Sequence, residues 1–245
     1  TLEERQAAIQ AVDQALTEAN TNITNANTND EVDQAKNNSI NTIQSIQPET
    51  QVKTNAKNLL NLKAQEQLNI IANNNDATIE EQQAAQQILD TELNQGIQNI
   101  ENADTNQEVE NAKDTSIQNI QSIQPATKVK SDARTAVNEK ATEVINNINA
   151  TPGATKEERD EAIAQVNTLL NRVINDINTS STTPMVEALR DAAINDLGNI
   201  QPHVTKKQEA IAILNQLATD KKQDINQNIN ATTEEKEAAI NEVDT

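Results

Sequence analysis

"TLEERQAAIQAV" at residues 1–12 returns as "TIEEQQAAQQIL" at 78–89, "TKEERDEAIAQV" at 155–166 and "TTEEKEAAINEV" at 232–243. The offset is 77 residues each time. Every copy sets a Thr three residues ahead of a Glu: Thr1 and Glu4, Thr78 and Glu81, Thr155 and Glu158, Thr232 and Glu235. That spacing is a capping box. The Thr hydroxyl accepts from an early backbone N–H while the Glu reaches back to the Thr amide. Behind the cap run apolar residues at helical spacing: Ile9, Val12, Leu16, Ala19 and Ile23 in the first copy, Ile163, Val166, Leu170, Val173 and Ile177 in the third. The second copy keeps Leu89, Leu93, Gly96 and Ile100, with Gln86 at the first position. The stretch therefore opens a helix, and it does so four times.

Two more helices complete each period. The polar runs "NANTND" at 25–30, "NADTNQ" at 102–107 and "NTSSTTP" at 178–184 compete for backbone hydrogen bonds and interrupt the first helix. Thr28 with Glu31, and Thr105 with Glu108, form second capping boxes. In the third period Pro184 falls where a first helical residue belongs, which its fixed φ suits. The second helix carries Val32, Ala35, Ile40, Ile43 and Ile46 and stops before "QP" at 47–48. The same "IQP" recurs at Pro125 and Pro202, and it reads as a corner. Proline pushes the residue before it out of helical geometry and then suits the opening turn of a third helix.

That third helix carries Val52, Ala56, Leu60, Ala64, Leu68 and Ile71, then Val129, Ala133, Val137, Ala141, Ile145 and Ile148. In the third period Lys222 replaces the fifth apolar residue, so the stripe is expected to shift toward Leu217 and Ile229.

The predicted fold is all-α: tandem three-helix bundles joined end to end into an elongated rod. The expected domains are 1–77, 78–154 and 155–231, with 232–245 starting a fourth. An odd number of antiparallel passes puts entry and exit at opposite ends. With helices of ~24 residues at 1.5 Å per residue, three repeats would span roughly 110 Å. Bending is expected near Pro152 and Gly153, and a near-continuous helix across "NINATT" at 228–233. Because Thr1 opens a repeat, the chain is expected to be cut from a longer protein.

Composition limits function. The 245 residues include no Phe, Tyr, Trp or Cys, so slim aliphatic cores are expected and thiol chemistry is excluded. A net charge of −19 disfavours nucleic acid and anionic membranes. No apolar run approaches the ~18 residues of a membrane span.

The pattern T-x-E-E-x-x-A-A-I-x-x-V, the segment "EVDQAKNNSI" at 31–40 and the corner I-x-x-IQP resemble the tandem helical repeat family of staphylococcal wall-anchored surface proteins. The resemblance covers the whole chain. It implies a non-enzymatic stalk between an adhesive region and the wall anchor, with a part in adhesion, aggregation or biofilm. It also implies an extracellular, wall-anchored location. It transfers no catalytic or ligand residues.

Single residues add no site. His203 is the only histidine and stands at a predicted corner, so it reads as an exposed polar residue. The pairs Glu3–Glu4, Glu80–Glu81 and Glu157–Glu158 sit in first turns, where capping and the helix dipole account for them. The loop "NANTNDE" lacks the glycine of a calcium-binding EF-hand. The sequons at Asn22 and Asn149 read as chance in an Asn-rich chain. No catalytic, cofactor-binding or metal residue is assigned, and no cofactor is expected. An isolated chain is expected to be monomeric.

The alternative reading is a weak, multivalent module that binds host extracellular-matrix proteins or neighbouring copies. Without aromatics and with five arginines, a tight single-repeat interface is disfavoured.

Overall fold

The computed structural model describes residues 1–244. Among them every regular element is an α-helix: α1 (Leu2–Asn25), α2 (Asn29–Ser45), α3 (Gln51–Ala72), α4 (Ile79–Asn102), α5 (Asn106–Ser122), α6 (Lys128–Asn149), α7 (Lys156–Thr179), α8 (Thr183–Gly198), α9 (Lys206–Gln227) and α10 (Thr233–Asp244). The chain divides into two compact units, Thr1–Thr127 and Lys128–Thr245.

The helix starts are where the caps put them. Complete capping boxes open α1, α2, α4, α5 and α7. In α4, Glu81 N donates to Thr78 Oγ1 at 3.3 Å and Thr78 N to Glu81 Oε2 at 2.9 Å. α8 has no side-chain cap and carries Pro184 in its first turn instead. The expected continuity across 228–233 is broken. Asn228 caps α9 in extended geometry, and Thr232 with Glu235 caps a new helix.

In the first unit α3, α4 and α5 pack on one another as a three-helix bundle, and α1 pairs with α2. The bundle core holds Leu60, Ile71, Leu89, Ile100, Val109 and Ile120, all fully or almost fully buried. In the second unit α6, α7 and α8 form the bundle and α9 pairs with α10. Its core repeats the first at an offset of 77: Val137, Ile148, Val166, Ile177, Val186 and Leu197.

The packing is therefore phased differently from the caps. Each bundle takes the third helix of one sequence period with the first two of the next, over 51–122 and 128–198. A capping box fixes where a helix begins, but not which neighbour it is buried against. The connections decide that. Between α3 and α4 the chain doubles back in a short turn, where Gln82 Nε2 donates to the carbonyls of Ala72 and Asn74. Between α6 and α7 Arg159 makes the equivalent bond to the Thr151 carbonyl, and Gly153 takes φ 80 in the turn. Pro152 and Gly153 thus lie inside a bundle rather than at a joint between bundles.

The α2–α3 connection is different. Residues 46–50 are non-helical, and Ile46 caps α2 in extended geometry. The prolines end the second helix as expected, but they do not enter the first turn of the third. α3 begins at Gln51 and α6 at Lys128, three residues past Pro48 and Pro125. The extended linker carries the chain onward. In the 51–122 bundle its counterpart is held from inside, where buried Gln67 donates to the Ile123 carbonyl at 2.6 Å. The stripe expected to shift in α9 is not buried: Leu217 is exposed, and Ile229 lies beyond the helix.

Candidate functional site

Among the most densely bonded polar groups are the capping glutamates, and Glu4 and Glu158 each serve two helices at once. Glu4 Oε2 accepts from the Thr1 ammonium at 2.6 Å and the Thr1 hydroxyl at 3.0 Å. Its Oε1 accepts from the Val52 amide at 3.0 Å, in the first turn of α3. Glu158 Oε2 accepts from Thr155 N at 2.7 Å. Its Oε1 accepts from Thr205 N at 2.9 Å and Lys206 N at 3.0 Å, where α9 begins. Each carboxylate ties the start of one helix to the start of another about 48 residues on, satisfying orphan amides at both and complementing both dipoles.

Both carboxyls are held near pKa 2. For Glu4 the Thr1 ammonium is the main cause, followed by the Val52 amide. For Glu158 it is the Lys206 amide, followed by those of Thr155 and Thr205. Such groups stay ionised at neutral pH and are poor proton donors or acceptors there.

Further bonds lock the first joint. Leu2 N donates to the Asp104 carbonyl at 2.8 Å and Asn106 N to Glu3 Oε2 at 3.0 Å, pinning the start of α1 to the α4–α5 turn. A second device recurs at the offset of 77. Lys53 Nζ donates to the Glu101 carbonyl at 2.7 Å, and Lys130 Nζ to the Asn178 carbonyl at 2.9 Å. In each case a lysine from the bundle's leading helix neutralises the C-terminus of its neighbour. Lys57 pairs with Glu101, and Arg134 bonds Asn178 Oδ1 in the matching place.

The residues weighed for chemistry are accounted for in other ways. His203 is exposed and lines an open concavity of about 450 Å³ with Glu157, Glu158, Glu161 and Lys206, a neighbourhood that linear sequence does not reveal. Of the two carboxylates in the 25–31 loop, Glu31 is engaged by its own cap, accepting from the amides of Asn27 and Thr28. Those amides lower its pKa, Asn27 first. Among the described residues no three His, Cys, Asp or Glu groups are placed to hold a metal ion. No helix there is long and apolar enough to cross a membrane. The arrangement joins helices, and the sequence reading saw only its local half. The second partner of Glu4 and Glu158 is a backbone amide, which carries no residue signature.

The comparisons with known proteins follow the same phase. The family described as Domain of Unknown Function (DUF1542) matches at 1–51, 52–128, 129–205 and 206–245. Its internal boundaries fall within one residue of the starts of α3, α6 and α9. "Extracellular matrix-binding protein EbhA" of Staphylococcus aureus strain Newman is 30% identical over 241 residues, covering 98% of this chain and 7% of that protein. "Extracellular matrix-binding protein ebh" of strain COL is 30% identical over the same share of this chain and 2% of its own length. The chain thus spans only a small fraction of these relatives. No solved structure matches it. With all four segments matched and the packed bundles cut at the same places, the chain belongs to the DUF1542 family, a repeat family of staphylococcal surface proteins.

Proposed function

We propose that these repeats are a non-enzymatic stalk in a cell-wall-anchored adhesin, holding an adhesive region away from the bacterial surface. The observation that carries the reading is the recurring joint. Glu4 and Glu158 each tie the start of one helix to the start of the leading helix 48 residues on, so the same linkage serves at two places along the chain. A spacer needs a repeated, directional connection and a well-solvated surface. Both are present, the second as a net charge of −19.

A second reading has one observation in its favour: the relatives' printed names describe extracellular-matrix binding. Exchange within a surface-displayed adhesin separates the two. If the repeats are a spacer, replacing them with an unrelated helical rod of equal length preserves cell adhesion, and halving their number reduces it. If adhesion is lost on exchange at equal length, while the purified chain holds immobilised matrix proteins at physiological salt, the repeats are the binding module.

A further inference from the structure

Three large apolar side chains stand on one exposed face of α3, within the complete 51–122 bundle. Leu59 is 38% exposed, Leu62 55% and Ile70 53%. At about 100° per residue the three fall within roughly 80° of one another, about a third of a turn from the buried stripe of Ala56, Leu60, Ala64 and Ile71. The fold does not demand them. The residues 77 positions on, in α6, are Ala136, Glu139 and Asn147, and that helix packs the same kind of core. Single exposed apolar residues are ordinary on a protein surface, as at Ile79 and Ile88 of α4. Three on one helix face, spread over about 16 Å, make a patch.

Two charges sit within that patch. Lys63 and Glu66 pair along the helix at 2.8 Å. They share a midpoint with Leu59 and Ile70, between Ala64 and Gln65. The pattern is therefore self-complementary. In an antiparallel pairing about a two-fold axis at that midpoint, Leu59 faces the second copy's Ile70 and Lys63 faces its Glu66. The axis repeats both contacts with the copies exchanged. The two Leu62 side chains then stand about 7.5 Å apart along the helix axes, near the centre of the contact. A parallel alignment would set Lys63 against Lys63 and Glu66 against Glu66, and like-charge repulsion disfavours it.

We propose that this face of α3 is a self-association surface, on which two copies of the chain pair antiparallel into a two-fold dimer. Both copies use the same surface, so the contact closes at two and does not propagate. It goes beyond the spacer role, since it joins neighbouring molecules side by side. Three partly exposed side chains make a patch below the ~1,000 Å² of a stable interface, so the dimer is weak, with Kd on the order of 0.1–1 mM. A net charge of −19 on each copy opposes pairing, and physiological salt screens that repulsion beyond about 8 Å.

Sedimentation equilibrium of the whole chain in physiological salt, up to about 1 mM, tests this. Wild type is expected to approach a dimer. Lys63→Glu and Glu66→Lys each set like charges across the axis twice, and each should weaken pairing at least about tenfold. Mixed one to one, the two variants should pair with each other, since one presents two carboxylates and the other two ammonium groups. Both exchanges in one chain again set acid against base and should recover wild-type pairing. Leu59→Ala, Leu62→Glu and Ile70→Asn together give α3 the residues that α6 carries at those positions. This triple variant should abolish pairing with helix content unchanged by circular dichroism, and it carries the test if a charge variant melts early. A chain that stays monomeric to about 1 mM would leave the face to another protein or to water and overturn the proposal. So would a triple variant that associates like wild type, or a folded double exchange that fails to recover pairing.

Discussion

Gly96 of α4 stands directly against Ser116 of α5 and Leu60 of α3 in the 51–122 bundle. A Cβ added there would lie 2.6 Å from Ser116 Oγ, 2.7 Å from Ser116 Cβ and 2.9 Å from Leu60 Cδ2. Gly96→Ala must force α4 away from both neighbours. It should destabilise the bundle by about 1–3 kcal/mol, although alanine favours a helix by about 1 kcal/mol over glycine. Gly198 meets only Lys140 Cε, at 3.6 Å, so Gly198→Ala should be neutral or stabilise by up to about 1 kcal/mol. Urea midpoints of the two variants give opposite shifts if the close contact is real.

Glu158 makes the second residue-scale prediction. Folding lowers its pKa from the ordinary 4.5 to about 2, so its bonds contribute fully above about pH 4.5 and are lost as pH falls toward 2. Amide exchange at Thr205 and Lys206, corrected for intrinsic rate, should rise through that window, and Glu158→Ala should raise it already at neutral pH. Unchanged protection in the variant would remove Glu158 from the joint. From sequence the cap of Glu158 on Thr155 was legible because three residues separate them. The reach to Lys206 was not, because an amide 48 residues away leaves no mark in the side-chain pattern.

At the scale of elements, helix starts could be read and partners could not. Thr28–Glu31 and Thr105–Glu108 announce α2 and α5 without reference to the rest of the chain. The stripe of α3, from Ala56 through Leu60 and Ala64 to Ile71, fits either the pair before it or the pair after it, and both pairs carry the same pattern. The short α3–α4 turn and the extended 46–50 linker break that tie in favour of α4–α5. Fragments should reveal the phase. Residues 51–127 contain a complete bundle and should melt cooperatively, whereas 1–77 contain a helix pair and a third helix parted from its core. Circular dichroism should give 51–127 the higher midpoint. Comparable cooperative melting of 1–77 would return the packing to the phase of the caps. The Pro48 linker should matter modestly: Pro48→Ala releases unfolded-chain entropy and should cost about 0.4–1 kcal/mol of stability in a urea titration.

For the whole molecule, the absence of aromatic residues and the 77-residue period pointed to thin repeated bundles, and the helical packing follows that pattern. The role as a spacer rests on how far the repeats reach, and small-angle X-ray scattering of the purified chain in physiological salt measures reach directly. An extended array of the four successive units, each about one 22–24-residue helix long, predicts a maximum dimension of roughly 140 Å and a radius of gyration of roughly 40 Å. A radius of gyration of about 18 Å, that of a compact globule of this length, would contradict it.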